Sequence, residues 1–414
     1  MNVICYPSRL QGTLKMPPSK SDAHRKLICA ALSENDSFTN FSIVSNLDCC
    51  EDIEATVRCL EALGARFEAS DNGTRIVPIS RENLRNFAEI DCHESGSTFR
   101  FLLPVAAAIC DRTEFRGSGR LPERPISALA DAMAQHGVSF SSQMLPFSTS
   151  GKLHGGKYEI PGNISSQYLT GLLLALPICS QDSEIHVTTP LESSPYVDLT
   201  IQVQAQFGIR ISETTDNGHL IYQIAGNQKY HAPASFSVDG DWSNAAFWLT
   251  ANALGSDITL EGLQPDSPQG DKLIQTLLRD FHELNTIDVQ NIPDLLPILA
   301  VRAAYSERQT QFINAERLHY KESDRLSTTA DLIRQIGAKA HVNLDSLTIQ
   351  GGNLRGGLVN ANNDHRLAMS AAIAALQCNQ AIKIQGAECV KKSYPRFFEH
   401  YVQLGGKCDG IHLR

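Results

Sequence analysis

A helical stretch that ends on glycine and runs straight into an alternating strand recurs along this chain, and that repetition constrains the fold more than any other feature. The copies are Leu60–Gly64 into Ala65–Phe67, Met133–Gly137 into Val138–Phe140, Val203–Gly208 into Ile209–Ile211 and Leu332–Gly337 into Ala338–Val342, with a fifth ending at Gly405 and Gly406. Glycine suits the end of a helix because it takes the left-handed conformation there with no Cβ penalty. A series of short apolar segments keeps step with these copies: Phe38-Thr-Asn-Phe, Phe115-Arg-Gly, Val187-Thr-Thr, Leu260-Glu-Gly, Phe312-Ile-Asn and Ile384-Gln-Gly, spaced 77, 72, 73, 52 and 72 residues apart. Six units at a near-constant period predict an α/β protein assembled from similar pieces. The interval from Leu260 to Phe312 breaks the pattern. It is about twenty residues short and lacks a helix-closing glycine, which leaves a helical remnant over Leu277–Leu284.

The remaining sequence properties narrow the function. A chain of 414 residues, 42% hydrophobic and 20% charged, reads as two or three globular domains. Met1–Gln11 lacks the basic start and apolar run of a signal peptide, and no apolar run approaches the roughly 18 residues needed to span a bilayer, so a cytoplasmic protein with no membrane partner is expected. The net charge of −9 argues against a nucleic-acid surface and requires any anion site to be a local concentration of Lys and Arg. The eleven cysteines form no Cys-x-x-Cys pair, and Cys49–Cys50 have no nearby His, so no metal site is expected.

The local basic concentrations are visible as motifs. In Pro17-Pro-Ser-Lys-Ser-Asp-Ala-His-Arg25, Ser19 or Ser21 can cap a helix running through Leu27, Ile28 and Leu32. Lys20, Ser21 and Arg25 then gather at a helix N-terminus, where free N–H groups and the positive dipole favour a phosphate or carboxylate. Glu94-Ser-Gly-Ser-Thr-Phe-Arg100 opens a second such helix, with Gly96 permitting close backbone approach. Gly119-Arg-Leu-Pro-Glu-Arg-Pro125 presents Arg120 and Arg124, whose guanidinium forks suit bidentate oxyanion binding. Ser165-Ser-Gln167 and Ser193-Ser-Pro-Tyr196 offer neutral groups suited to a hydroxylated ring, although such residues also serve as ordinary caps and turns. Asn291-Ile-Pro-Asp294, Lys321-Glu-Ser-Asp-Arg325, Asn363-Asp-His-Arg366 and Lys391-Lys392 add charge in other units, and Lys321 and Arg325 read as i,i+4 neighbours on one helical face.

In order and over nearly the whole chain, these segments resemble the motifs of the 5-enolpyruvylshikimate-3-phosphate synthase family: Ser19-Lys-Ser with Arg25, Ser95-Gly-Ser, Glu123-Arg-Pro-Ile126, Ser165-Ser-Gln, Pro195-Tyr, Ile292-Pro-Asp, Lys321-Glu-Ser-Asp-Arg, Asp364-His-Arg and Lys392-Ser-Tyr-Pro395. The resemblance implies a two-domain enolpyruvyl transferase fold built from six βαβαββ units, with the unit near 260–312 shortened. It places residues 1–18 with 238–414 in a discontinuous domain, 19–237 in an inserted one, and the active site in a cleft that closes between them. By the same resemblance Lys20, Gly96, Arg124, Gln167, Arg325, Arg366 and Lys392 hold phosphoenolpyruvate. Lys20, Ser21, Arg25, Ser165, Ser166, Gln167, Ser193, Tyr196, Asp294 and Lys321 hold shikimate 3-phosphate. Asp294 and Glu322 are the acid/base pair, with Glu322 favoured for protonating C3 of phosphoenolpyruvate, Asp294 for the 5-hydroxyl, and Lys20 as helper. The family reaction uses no metal or cofactor, and a monomer is expected.

Three positions depart from the family pattern: Glu94 and Arg317 stand where asparagine is common, and Phe101 where proline is common. The sister UDP-N-acetylglucosamine enolpyruvyl transferases have Asn after the N-terminal lysine and a reactive cysteine in the arginine loop, where this chain has Ser21 and Gly119. A non-catalytic anion-binding repeat scaffold would keep the arginines but would have no use for Asp294 and Glu322.

Overall fold

The computed structural model describes residues 1–34, 41–48, 50–82 and 84–411. Phe38–Asn40 of the first apolar segment, and Cys49, lie outside the described residues. The chain divides into two compact units, Pro18–Asp239 and Met1–Pro17 with Gly240–Arg414.

Pro18–Asp239 contains three four-stranded sheets and the discontinuous unit two, all of one design. A parallel pair of strands is extended on one side by two antiparallel strands. In one sheet Phe87–Asp91 runs parallel to Arg112–Arg116, which pairs antiparallel with Phe147–Ser150 and through it with Ser139–Phe140. In chain order this is strand, helix, strand, helix and hairpin, with helices Gly96–Ile109 and Ser127–Ala134 as the crossovers. The anchors Phe115, Val187, Leu260, Phe312 and Ile384 all fall in the second strand of a parallel pair: Arg112–Arg116, Ser183–Val187, Asp257–Glu261, Gln309–Ile313 and Ile382–Gln385. The helix-closing glycines Gly64, Gly137, Gly208, Gly337 and Gly405 have φ of 117°, 95°, 83°, 110° and 94°, the left-handed values that stop a helix and turn the chain into the hairpin.

The sixth sheet is the short one. Asp257–Glu261 pairs in parallel with Gln11–Lys15 and has no antiparallel hairpin beside it among the described residues. The helix that would lead to that hairpin is the six-residue Ile274–Arg279, preceded by a 3-10 turn Gly270–Leu273. It therefore begins before Leu277 and stops before Leu284. With Asp280 rather than glycine after it, no left-handed turn redirects the chain into a strand.

Each unit has its own apolar core. Through one run Gly96–Ile109 and Ser166–Ala175, through the other Leu296–Ala304 and His365–Ala375, and these four helices are buried along almost their whole length. A helix that is apolar all round has no solvent face, so such helices form the centre of a fold. Three of them begin at quoted motifs, Ser95-Gly-Ser, Ser165-Ser-Gln and Asp364-His-Arg. The core thus fixes where polar helix starts emerge. No helix among the described residues is long and apolar enough to cross a membrane.

Candidate active-site residues

In Pro18–Asp239 most of the candidate positions sit at helix starts. Ser19 caps Lys20–Ala31 by accepting from the Asp22 N–H at 3.4 Å, Ser95 caps Gly96–Ile109 from Thr98 N–H at 3.2 Å, and Ser165 caps Ser166–Ala175 from Gln167 N–H at 3.3 Å. Such a cap is worth about 1 kcal/mol. Ser19, not Ser21, is the cap of the first helix, which leaves Ser21 in its opening turn. Ser193 precedes Ser194–Gln206 in the left-handed region at φ 56° and ψ 38°, a conformation that costs a residue with a side chain roughly 1–2 kcal/mol.

Side chains tie these helix starts together. Arg25, buried in the first helix, donates to Thr200 Oγ1 at 2.8 Å, the Tyr196 carbonyl at 2.9 Å, the Ser21 carbonyl at 2.7 Å and Thr170 Oγ1 at 3.4 Å. Burial lowers its pKa to about 10, so it remains a cation at neutral pH. All four acceptors are neutral. Lys20 Nζ lies 2.7 Å from Asp52 Oδ2. Gln167 donates to Ser97 Oγ at 3.0 Å and accepts from Arg100 Nη1 at 2.8 Å, while Arg100 Nη2 reaches the Pro125 carbonyl at 3.2 Å.

A Cβ on Gly96 would lie 2.5 Å from Arg124 Nη1 and 3.1 Å from Arg100 Nη1. The missing side chain therefore lets two guanidinium groups settle on the start of the Gly96–Ile109 helix. Arg124 Nε is buried with no hydrogen-bond partner, so the protein alone does not saturate this guanidinium.

Two of the departures have visible partners here. Phe101 places its ring 5.0 Å from the Arg25 guanidinium carbon, a cation–π contact. Glu94 packs its carboxylate over Gly119, where a Cβ would come within 2.5 Å of the Glu94 carboxyl carbon. Gly119 also has φ 57°, so a cysteine at this position is disfavoured twice over.

In the discontinuous unit most of the candidate positions form a charge network around Asp294 and Arg325. Arg325, only 1% exposed, donates from Nη1 to Asp294 Oδ1 at 2.8 Å, from Nε to Asp364 Oδ2 at 2.9 Å and from Nη2 to Glu322. Arg366 Nη2 holds the other Asp294 oxygen at 2.8 Å. Lys321 Nζ is 3.9 Å from Asp294 Oδ1, Lys392 Nζ donates to the Asn363 carbonyl at 2.8 Å, and Arg317 donates to the Gln290 carbonyl at 2.9 Å.

Burial works to raise the Asp294 pKa, but Arg366, Lys321 and Arg325 more than reverse this and hold the carboxyl well below the usual carboxylate range. Lys321 is pushed down to about 8, first by burial and then by Arg317 and Arg325, against the pull of Asp294. Burial alone would lower Arg325, yet Asp364, Glu322 and Asp294 raise it above the ordinary arginine value.

One sequence expectation is corrected. Lys321 and Arg325 do not share a helical face, because the helix begins only at Arg325, capped by Asp324, and Lys321 ends the preceding 3-10 turn Glu316–Tyr320. The break lets Lys321 and Arg325 both reach Asp294, with Glu322 on the same Arg325, instead of spreading along a helix. Sequence reading also passed over three residues. Arg100 follows Gly96 by about one helical turn, which was a usable signal. Asp364 lies inside a quoted motif, but its double role, accepting from the Arg366 N–H at 3.0 Å as a helix cap and from Arg325 as a counterion, needs the fold. Asp52, 32 residues from its partner Lys20, gave no local sign.

The sequence pattern of the family described as EPSP synthase (3-phosphoshikimate 1-carboxyvinyltransferase) matches residues 4–401. The chain belongs to the EPSP synthase family. It is 41% identical over 427 residues to the 3-phosphoshikimate 1-carboxyvinyltransferase of Clostridium kluyveri, covering 98% of each chain. It is 39% identical over 434 residues to that of Clostridioides difficile, covering 98% of this chain and 97% of the other. Among solved structures, an EPSP synthase from Acinetobacter baumannii superposes with a TM-score of 0.79 at 23% identity, covering 99% of this chain and all of that one. The enolpyruvyl transferase NikO from Streptomyces tendae superposes with a TM-score of 0.73 at 15% identity, covering 99% and 98%. At these identities the two structures speak for the fold alone, and it is the enolpyruvyl transferase fold that the motif resemblance implied and with which the repeats agree.

Proposed function

We infer that this chain transfers the enolpyruvyl group of phosphoenolpyruvate to the 5-hydroxyl of shikimate 3-phosphate, releasing phosphate and forming 5-enolpyruvylshikimate 3-phosphate, a step of aromatic amino acid biosynthesis. The observation that carries the reading is the Asp294 carboxylate, gripped by Arg325 and Arg366 beside Lys321 and Glu322, in a chain of this family. Cations alone would serve a binding scaffold. A carboxylate kept ionised among them serves proton transfer.

In the reaction the 5-hydroxyl oxygen bonds to C2 as its proton leaves, C3 gains a proton, and phosphate then departs from the tetrahedral adduct. In this reading Asp294 accepts the hydroxyl proton and Glu322, which must reach its step protonated, delivers the proton to C3, with Lys20 steadying the charge that develops. Arg124, Arg325, Arg366 and Lys392, with Lys20, Gly96 and Gln167, take phosphoenolpyruvate. Ser21, Arg25, Ser165, Ser166, Gln167, Ser193, Tyr196 and Lys321, with Lys20 and Asp294, take shikimate 3-phosphate. Both sets must act on one pair of substrates, so shikimate 3-phosphate should draw the two units together and reduce the radius of gyration. We read the enzyme as a cytoplasmic monomer without membrane or nucleic-acid partners, in keeping with its net charge of −9.

Phosphate release should require both substrates together. Glu322→Gln should keep both Michaelis constants while turnover drops by about 10²–10⁴. Asp294→Asn should lose turnover and also bind shikimate 3-phosphate more weakly. In heavy water, exchange of the phosphoenolpyruvate methylene hydrogens should be suppressed more by Glu322→Gln than by Asp294→Asn, and the reverse order would exchange the two roles. Full turnover in both variants would remove them from the mechanism.

A further inference from the structure

The shortened unit has lost its hairpin but keeps the loop that precedes it, and that loop carries a buried carboxylate. Asp271, in the 3-10 turn Gly270–Leu273, is 2% exposed. The loop is fastened to the start of the Trp242–Ala253 helix: the Gln269 side chain donates to the Gly240 carbonyl at 2.8 Å and accepts from the Trp242 N–H at 3.1 Å, while the Ser243 hydroxyl donates to Asp271 Oδ2. That helix is capped by Asp241 and also packs against the turn Pro293–Leu295 that bears Asp294. The neighbouring charges are committed elsewhere. Lys272 donates to the Pro265 carbonyl, and Arg279 of the following helix pairs with Asp280 at 2.7 Å. The Trp242–Ala253 helix packs against His365–Ala375 as well, which carries Arg366 near its start, and the charges of Asp294, Arg366 and Asp241 all act on Asp271.

We propose that Asp271 is a positioning residue of the anion site, taking up a proton when an anionic ligand settles on Arg366 and shedding it when the ligand leaves. The proposal rests on the reading of Arg366 as a phosphoenolpyruvate ligand. Burial is the largest influence on this carboxyl and the Asp294 charge the next, and against Arg366 and the Ser243 hydroxyl they push its pKa up to about 6. An ionised Asp271 adds negative charge beside the cation that must receive an anion. A protonated one does not. A bound anion favours the protonated form further, so ligand and proton bind with mutual preference.

The test compares the whole enzyme with Asp271→Asn, which keeps an acceptor for Ser243 but cannot ionise, between about pH 5 and 8. The ratio of the wild-type to the variant Michaelis constant for phosphoenolpyruvate should grow about threefold to tenfold as pH rises through about 6, which is the effect of half to one unit of coupling. Titration of the substrate's own phosphate cancels in that ratio. The kcat ratio should stay flat. A second variant, Ser243→Ala, removes a hydrogen bond to the ionised form and should move the midpoint to higher pH.

Thermal melting gives a readout independent of turnover. Folding raises this carboxyl above its unfolded value, so its contribution to stability is complete below that value and is lost as pH rises through about 6. The melting temperature of the wild type should therefore fall relative to Asp271→Asn over that window. A pH-independent melting difference would show that Asp271 does not titrate and would overturn the proposal. A melting shift with a flat Michaelis ratio would overturn its link to the anion site. Absence of wild-type phosphate release would instead overturn the functional reading beneath it.

Discussion

Arg25 in one unit and Arg325 in the other, both buried candidate-site arginines, meet partners of opposite kinds. In Pro18–Asp239, Arg25 donates to hydroxyls and carbonyls, Arg100 to an amide and a carbonyl, and Arg124 keeps an unpartnered buried nitrogen. The acceptors named for Arg25 are neutral, so its charge is not cancelled, and an uncancelled cation near a helix start favours an anion. In the discontinuous unit, Arg325 faces three carboxylates and Arg366 one. There the cations are largely compensated, and what they accomplish is to keep Asp294 ionised and fixed. At these positions the same residue type therefore meets neutral acceptors in one unit and carboxylates in the other, so its charge is uncancelled at Arg25 and largely compensated at Arg325.

The contrast can be broken most forcefully at Arg325. Replacing it by Met leaves Asp294, Asp364 and Glu322 facing one another without their shared cation. Removing one partner of a buried pair typically costs about 3–5 kcal/mol, so urea unfolding of Arg325→Met should show a loss of that size together with lost turnover. Arg25→Met, whose partners are neutral, should cost less. An equal loss at both sites would mean that compensation is not what separates the units.

A smaller effect is expected at Arg124. Arg124→Lys keeps the charge but loses the fork, so affinity for phosphoenolpyruvate should fall by at least about tenfold, roughly 1.4 kcal/mol, with the melting temperature unchanged. An unchanged Michaelis constant would remove Arg124 from the donor site.

The smallest effect is expected at Lys321, whose pKa is pushed down to about 8 by burial and its cationic neighbours. Protonated below this value and neutral above it, the group is half neutral at pH 8, and shikimate 3-phosphate affinity should be about twofold weaker there than at pH 6.5. Lys321→Arg cannot deprotonate and should abolish this dependence. Persistence of the same profile in Lys321→Arg would assign the titration to another group.

What the sequence disclosed depended on range. The glycines at 64, 137, 208, 337 and 405 are readable because a left-handed helix end is a local demand of the backbone, and the short interval between Leu260 and Phe312 is readable as a gap in that series. The motifs at Ser19 and Ser95 are readable as helix starts because a cap, too, is a local demand of the backbone. The partners of Lys20, Arg100 and Arg325 are not, because Asp52, Gln167 and Asp294 reach them only across folded helices. Asp271 is the extreme case, since a carboxylate before a lysine looks like ordinary surface until burial and Asp294 are both known.

The parallel pairing of Gln11–Lys15 with Asp257–Glu261 sets an order of events during synthesis. A chain emerging N-terminus first presents its second strand with nothing to pair with until residues 257–261 appear, a wait of roughly 10–50 s at typical elongation rates. Its first strand, Asn2–Tyr6, waits longer, for Ile382–Gln385 and Lys407–Asp409. The whole of Pro18–Asp239 is delivered in the meantime and can bury its own core. The nascent chain therefore carries two strands with open edges throughout most of translation, and such edges invite pairing with other chains until the ribosome delivers their partners.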